Sequence, residues 1–224
     1  MQEIELKFLV PEYKVDSLMR QAKIKSSNTT QLAAHYYDTA DNILAQSGMA
    51  LRIRKEGDTW VQTLKSNGDG MASRGEQNNI LDEAQVNEAI KANALYPDLS
   101  VYEELDIEKM ILSSSDEEVS DKLNRLYITD IERTTRLIRG ETGLIEMAYD
   151  EGTVIHGEDS QINKPILELE FELIEGHVSF LFEVAKTWAK RYNLCLSTVT
   201  KAERGGLMLA GKEHAEATKA DLKK

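Results

Sequence analysis

The chain has 224 residues, of which 41% are hydrophobic and 29% charged, as is typical of a soluble domain with a sizeable core. Its net charge of −12 argues against nucleic acid and anionic lipid as partners, although a local cluster of cations can still bind an anionic ligand. No apolar run is long enough to span a membrane and no signal-peptide pattern is visible, so we expect a cytoplasmic protein. The single Cys195 cannot form an intrachain disulfide.

The first half of the chain reads as strands joined by short turns. In the first strand, residues 2–8, the charged side chains of Glu3, Glu5 and Lys7 alternate with apolar ones and therefore share one face. The apolar spacing then predicts a helix within 11–23 and another over 82–94. Between these helices the pattern predicts strands over 32–39, 49–55, 59–66 and 73–81.

The second half alternates between helical and extended patterns. Short helices are predicted near 101–112 and 116–126, around a polar linker at 113–118, and the clearest helix of the chain spans 179–193. Strands are predicted over 126–139, over 144–150 with a continuation at 152–155, and after Pro165, where Glu168, Glu170 and Glu172 share one face. We expect a final extended piece at 198–202 and a charged tail over 211–224.

The same alternation of charged and apolar residues recurs in most of these strands. If the charged faces point outward, they are simply solvated and the apolar faces fill a barrel. In the opposite arrangement, a closed barrel has a polar lumen and its apolar outer face is covered by helices. The helices predicted near 11–23, 82–94 and 179–193 are amphipathic and need an apolar surface to cover, which favours the second arrangement. We therefore predict an α+β, mainly antiparallel fold, an eight-stranded closed tunnel with helices packed on its outside.

Charges of both signs converge in such a lumen. Like charges in a confined space repel by about 4 kcal/mol per pair at 4 Å and an effective dielectric of 20, so the lumen needs ligands of both signs. Guanidinium groups suit phosphoryl oxygens and clustered carboxylates suit hard divalent cations. A polyphosphate with Mg²⁺ or Mn²⁺ satisfies both. The converging groups are Lys7, Arg52, Arg54, Lys65, Arg74, Arg133, Lys201 and Arg204, with Glu3, Glu5, Glu76, Glu146, Asp150, Glu168 and Glu170.

The opening Glu3-Ile4-Glu5-Leu6-Lys7 resembles the E-x-E-x-K signature of the CYTH domains, also called triphosphate tunnel metalloenzymes. Further pieces follow in the family's order, and the likeness covers about residues 1–210, which we take as the domain. These pieces are Tyr37-Asp38-Thr39, Leu51-Arg52-Ile53-Arg54, Thr63-Leu64-Lys65, Ser73-Arg74-Gly75-Glu76, Arg133, Asp150, Glu168-Leu169-Glu170 and Thr200-Lys201-Ala202-Glu203-Arg204-Gly205. Members of this family hydrolyse or cyclise triphosphate compounds with a divalent metal.

The resemblance implies a role for each matching residue. Metal would be held by Glu3, Glu5, Asp150, Glu168 and Glu170, and phosphate by Lys7, Arg52, Arg54, Lys65, Arg133 and Lys201, to which the charged faces add Arg74 and Arg204. We expect a carboxylate such as Glu5 or Glu168 to orient the attacking water, and Lys65 or Lys201 to neutralise the leaving pyrophosphate. Mutual pairing is the alternative for Arg74 and Glu76. The choice of Arg133 over Arg136 depends on strand parity, which a β-bulge would reverse.

The pattern is most like that of the bacterial inorganic triphosphatase branch, which predicts hydrolysis of tripolyphosphate to pyrophosphate and phosphate. The alternatives are a thiamine triphosphatase or an adenylyl cyclase of the same fold, or a non-catalytic polyphosphate or nucleotide sensor. Members of that branch often carry a helical CHAD domain after the CYTH domain, so either this member acts alone or it belongs to a longer protein. We expect a monomer or a homodimer that binds neither nucleic acid nor membranes.

Overall fold

The computed structural model describes residues 4–67, 74–105 and 123–212. The strands are β1 Glu5–Leu9, β2 Asn28–Thr39, β3 Met49–Glu56, β4 Thr59–Asn67, β5 Arg74–Leu81, β6 Leu123–Arg139, β7 Gly143–His156, β8 Asn163–Gly176 and β9 Cys195–Ser197. The helices are α1 Val15–Ala22, α2 Ile43–Gln46, α3 Glu83–Lys91, α4 Val178–Tyr192 and α5 Lys201–Leu209, with 3-10 segments at Glu12–Lys14 and Leu99–Leu105.

All nine strands belong to one sheet in the order β5-β4-β3-β2-β6-β7-β8-β1-β9, and every pairing in it is antiparallel. The predicted α+β, mainly antiparallel class is confirmed. The predicted closed barrel of eight strands is wrong, because β5 and β9 are the unpaired edges within the described residues. Alternation along single strands does not encode the tilt and stagger that closure requires. The extra strand β9 has only three residues and occupies the second edge of β1.

Two apolar clusters cover one face of this sheet, which we call the outer face. Helices α1 and α4 pack on β1, β7 and β8 through residues such as Leu18, Leu181 and Phe171, each of which is fully buried. The second cluster joins α3 to β3 and β4 through Val86, Leu51 and other side chains. The helices and sheet therefore bury their apolar stripes against each other on this side, which supplies most of the hydrophobic stabilisation.

A third apolar cluster lies on the opposite, inner face. Strand parity places Val154 on the same face of β7 as Asp150, and Met208 of α5 packs in the cluster that contains Val154. The other buried members are Ala34, Tyr36, Tyr127, Ile131 and Ile166. The prediction of a polar inner face therefore holds for only part of the sheet. β6, β7 and β8 run beyond their charged residues, and helix α5 covers the apolar part.

Several predicted segments differ from the structure. Residues 201–209 form helix α5, whereas an extended piece was predicted over 198–202 and no helix was predicted after it. Residues 123–126, the end of a predicted helix, belong to strand β6. The polar linker at 113–118 and the tail over 213–224 lie outside the described residues, as does most of the two helices predicted near 101–112 and 116–126. Within the described ranges, no helix is long and apolar enough to cross a membrane.

Candidate functional site

Three carboxylates meet on the inner face at the centre of the sheet. Asp150 of β7 lies directly opposite Glu168 of β8, and Glu170 follows two residues later on the same face. One oxygen from each of the three lies within 4.8 Å of the others. The side chains of Asp150 and Glu168 are fully buried, and that of Glu170 is 13% exposed. Three carboxylates at this spacing, two of them fully buried, require cations close by, because desolvated like charges repel strongly.

Arg133 of β6 supplies the first cation. The register between β6 and β7 places Arg133 opposite Asp150. Its Nε donates to Oδ1 of Asp150 at 2.6 Å and its Nη2 to Oδ2 at 2.7 Å, so that the pair is bidentate. The same Nη2 also donates to Oε2 of Glu170 at 2.6 Å. A guanidinium fork held in this way fixes the orientation of both carboxylates.

Helix α5 supplies two more cations. Nζ of Lys201 lies 2.7 Å from Oδ2 of Asp150, 3.2 Å from Oε2 of Glu168 and 3.2 Å from Oε1 of Glu170. The ammonium therefore lies among all three carboxylates. One turn further along the helix, Arg204 donates through Nη2 to Oε1 of Glu168.

A capping box fixes the start of this helix. The Thr200 hydroxyl accepts from the Glu203 N–H at 3.1 Å, and the Glu203 carboxylate accepts from the Thr200 N–H at 2.7 Å. The box therefore holds Lys201, the first residue of α5, in a defined place.

Lys7 of β1 completes the cluster, with Nζ 3.6 Å from Oε1 of Glu170. These seven groups comprise four cations and three carboxylates, so their formal sum is one positive charge. A cluster of this composition attracts anions although the whole chain is strongly acidic. The expectation that local charge outweighs net charge therefore has a structural basis.

The pKa values of the cluster indicate stable charge pairing. Burial would raise the pKa of Asp150, but hydrogen bonds from Arg133 and the charges of Lys201 and Arg133 outweigh it and hold that pKa below its ordinary value. Burial likewise opposes ionisation of Glu170, whose pKa is lowered overall by Lys201 and Arg133. Burial also acts to lower the pKa of Lys201, but the three carboxylates, Asp150 first, raise it well above its ordinary value. Asp150, Glu170 and Lys201 are thus all charged at neutral pH.

The carboxylate set fits a hard divalent cation. Mg²⁺ and Mn²⁺ prefer carboxylate oxygens, and three come together here. Oε2 of Glu168 is buried and makes no hydrogen bond with the described residues, although Lys201 lies at ion-pair distance from it. A buried carboxylate oxygen without a donor retains lone pairs for a metal ion. The Lys201 ammonium lies within 3.2 Å of all three carboxylates and so occupies the place where such a cation would bind.

Other predicted residues lie on the same face but further away. Glu5 is exposed and lies opposite Glu172, two residues along the strands from the position where Lys7 lies opposite Glu170. It does not belong to the group of three carboxylates. Glu146 also pairs with Glu172 and is outside that group. Glu3 lies outside the described residues. Of the five carboxylates predicted to bind metal, the structure brings three together.

The remaining predicted cations lie on the β3, β4 and β5 side of the sheet. Arg52 pairs with Tyr36, so it faces the inner side, and its buried Nε and Nη2 have no hydrogen-bond partner among the described residues. Arg54 and Lys65 share that face by strand parity. Arg74 lies in β5 opposite Asn67, where the backbone alone is described.

The structure places Arg136 on the outer face. Its guanidinium lies over the Trp188 ring of α4, 5.5 Å from the ring centre, and no bulge interrupts the pairing of β6 with β7. The irregularities of these strands lie elsewhere, at Tyr36/Tyr37 in the β2 and β6 pair and at Leu144/Ile145 in the β7 and β8 pair. Strand parity therefore assigned Arg133 to the inner face correctly.

Sequence reasoning missed the element that carries Lys201 and Arg204. The two adjacent glycines, Gly205 and Gly206, discourage a helix prediction because glycine is a poor helix former. The signal that could have found it is Thr200 with Glu203 three residues later, which is the spacing of a capping box. Tyr127, which packs against this helix, is a buried core residue, and its sequence gives no signal of the contact.

The fold and the site together define a class of domain in which basic and acidic side chains converge on one face of a single antiparallel sheet, while helices α1, α3 and α4 cover the other. The chain belongs to the CYTH domain family, whose model matches residues 1–205. The resemblance noted from the sequence motifs is thereby confirmed.

The chain is similar to an inorganic triphosphatase of Haemophilus influenzae, with 35% identity over 214 residues that make up 93% of this chain. It spans 55% of that protein's length. Among solved structures, a putative adenylate cyclase from Bacillus halodurans shares the fold with a TM-score of 0.59 and 21% identity, over 91% of this chain and 96% of that one. A putative adenylyl cyclase from Hippeastrum, described as having a dominant triphosphatase activity, gives a TM-score of 0.58 and 19% identity over 95% of this chain and all of that one.

Proposed function

We propose that the chain hydrolyses inorganic triphosphate to pyrophosphate and phosphate, with Mg²⁺ or Mn²⁺, on the inner face of its sheet. The observation that carries the proposal is the convergence of three carboxylates, two of them fully buried, with four cations in one cluster. A polyphosphate with a divalent metal is a ligand that satisfies both signs of charge. The similarity to an inorganic triphosphatase supports the same substrate.

The residues divide into two roles in this proposal. Asp150, Glu168 and Glu170 would hold the metal, together with Glu5 and Glu3 of the opening strand. Phosphate would be bound by Lys7, Arg52, Arg54, Lys65, Arg74, Arg133, Lys201 and Arg204. When bound, the metal would polarise phosphoryl oxygens and lower the pKa of a coordinated water.

The chain itself contributes positioning and charge neutralisation, which are the main demands of phosphoryl transfer. Glu168 or Glu5 would orient the attacking water by accepting its hydrogen bond. Lys65 or Lys201 would neutralise the negative charge that develops on the leaving pyrophosphate. We assign these roles to one domain over residues 1–210, in a cytoplasmic monomer or homodimer that acts alone or with a CHAD domain in a longer protein.

The test is phosphate release from tripolyphosphate, ATP and thiamine triphosphate, each with Mg²⁺, Mn²⁺ or a chelator. Fast, metal-dependent release from tripolyphosphate alone is the expected result. Preference for thiamine triphosphate, or conversion of ATP to a cyclic product, would assign the site to another activity of the fold. Tripolyphosphate binding without turnover of any of these substrates would identify a sensor and overturn the proposal.

A further inference from the structure

Helix α5 carries two of the four cluster cations, and its backbone packs against Tyr127 of strand β6. Gly205 is buried in the middle of α5, and a Cβ atom at this position would overlap Cε2 and Cζ of the Tyr127 ring. The backbone of the helix therefore lies directly against the ring. Close approach of a helix to an aromatic face is possible here only because residue 205 has no side chain.

The Tyr127 ring cannot move aside to make room for a larger residue at position 205. It is 5% exposed and stacks on Tyr36 with ring centres 4.6 Å apart and an interplanar angle of 21°. Its hydroxyl donates to the carbonyl oxygen of Ala202 at 3.0 Å. The Tyr36 ring thus holds the Tyr127 ring in place, and the Tyr127 hydroxyl holds the first turn of α5.

These contacts set the distance between α5 and the carboxylates. Ala202 and Gly205, which both touch Tyr127, alternate along the helix with Lys201 and Arg204, which contact the carboxylates. All four residues lie within two turns, so a helix pushed away from the ring also withdraws its cations. We propose that Gly205 and Tyr127 are positioning residues, which seat α5 so that the Lys201 ammonium lies among Asp150, Glu168 and Glu170.

The consequence concerns the metal site, and the inference therefore deepens the proposed function and rests on it. Lys201 neutralises the same oxygens that a divalent cation would use. The position of α5 against Tyr127 thus determines how strongly the Lys201 ammonium competes with a metal ion for the three carboxylates. Withdrawal of the helix frees negative charge at the carboxylates and favours cation binding.

Adjacent glycines provide a matched pair of variants. Gly205→Ala and Gly206→Ala make the same chemical change in the same helix, and both replace glycine by a better helix former. A Cβ at 206 meets nothing within 4 Å, whereas one at 205 meets the Tyr127 ring. Any difference in metal affinity between the two variants therefore reports the contact of α5 with Tyr127 and not helix propensity.

The experiment measures Mn²⁺ binding to the full chain without substrate, by the electron paramagnetic resonance signal of free Mn²⁺. We expect Gly205→Ala to bind Mn²⁺ at least about fivefold more tightly than the parent protein, because a cation retreats from the carboxylates. Gly206→Ala should change the affinity by less than about twofold, since no contact is disturbed. Equal affinities of the two variants would overturn the inference.

A double-mutant cycle separates positioning from general disruption. In a Lys201→Met/Arg204→Met background, α5 has lost both cations, so adding Gly205→Ala should alter Mn²⁺ affinity by less than about twofold. If the effect of Gly205→Ala persists there, the substitution acts on the carboxylates directly and the inference is wrong.

If Gly205→Ala does not fold, Tyr127→Phe tests the same seat. It keeps the ring and removes the hydrogen bond to Ala202, and we expect about twofold tighter Mn²⁺ binding; unchanged binding would overturn the inference. Phosphate release by the parent protein tests the proposed function separately. If the parent protein releases no phosphate but its Gly205→Ala variant binds Mn²⁺ more tightly than Gly206→Ala does, the inference stands and the proposed function is wrong.

Discussion

Asp150 joins Arg133 and Lys201 through a single carboxylate. Oδ2 of this residue accepts from Nη2 of Arg133 at 2.7 Å and lies 2.7 Å from Nζ of Lys201, while Oδ1 accepts from Nε of Arg133. The side chain is fully buried. One carboxylate therefore ties strand β6 to helix α5, two elements separated by more than sixty residues of sequence.

Asp150→Asn should lower the free energy of unfolding by about 3 kcal/mol, because it leaves two buried cations with less compensating charge. Asp130→Asn, at an exposed residue of strand β6, is the control, and we expect a loss of less than about 1 kcal/mol there. Urea unfolding at pH 7 measures both. Equal losses for the two variants would show that the Asp150 cluster contributes nothing specific to stability.

Arg133→Met and Arg136→Met should affect catalysis very differently. The two arginines lie on the same strand, but Arg133 contacts the carboxylates while Arg136 lies over Trp188 on the outer face. We expect kcat/KM for tripolyphosphate to fall about 100-fold in Arg133→Met, in line with the loss of a charged group that binds phosphate. Arg136→Met should stay within about twofold and lose about 0.5–1 kcal/mol of stability. A larger catalytic loss from Arg136→Met would contradict the assignment.

Lys201→Met should reduce kcat for tripolyphosphate about 100-fold while the protein remains folded. Its ammonium is the cation nearest to all three carboxylates, and removing one preorganised charge from such a site typically costs two or three orders of magnitude in rate. Lys186→Met on the exposed face of α4 is the matched control. Steady-state phosphate release with Mn²⁺ gives the comparison. Turnover of Lys201→Met close to that of Lys186→Met would remove the catalytic role of Lys201.

Acid should destabilise the fold through His35. This side chain is buried, its Nδ1 has no hydrogen-bond partner among the described residues, and burial with the charge of Arg125 lowers its pKa to about 4. An unfolded chain takes up this proton near pH 6.5, so the free energy of unfolding falls between about pH 6.5 and pH 4, by up to about 3 kcal/mol.

His35→Gln should flatten that part of the stability curve, as measured by urea unfolding at several pH values. His177→Gln, on an exposed residue before α4, is the control for loss of a histidine as such. The lowered pKa values of Asp150 and Glu170 act in a different range. Their stabilisation is present above the ordinary carboxylate pKa of about 4 and is lost as the pH falls below it. A His35→Gln variant with the parent's slope above pH 4 would contradict the prediction.

Periodicity predicted the strands well because each inner-face residue alternates with a buried one. β3 and β4 differ from their predicted bounds by one residue, and the long helix predicted at 179–193 is α4 Val178–Tyr192. The parity of Arg133 followed in the same way. These features depend on residues two to four positions apart, which a sequence displays directly.

Features that depend on contacts between distant elements could not be predicted in this way. Closure of the sheet depends on how the edge strands β5 and β9 lie relative to each other, and the sequence of neither strand encodes that position. The apolar part of the inner face depends on α5 meeting Tyr127, although the two segments lie more than seventy residues apart. Gly205, which permits this contact, also weakens the helical pattern of the sequence, so the residue that the tertiary structure requires made α5 harder to predict.

Among the described residues, strand β1 pairs with β8 and β9, both of which are distant from it in sequence. Glu5 lies opposite Glu172, and β9 takes the other edge of β1. During synthesis β1 must therefore wait for most of the chain before it finds a partner, and contacts so distant in sequence slow folding. Lys7 reaches Glu170 only when this pairing is complete. The full cluster of charges therefore forms only once β1 has paired with β8, and a nascent chain with β1 still unpaired does not have it.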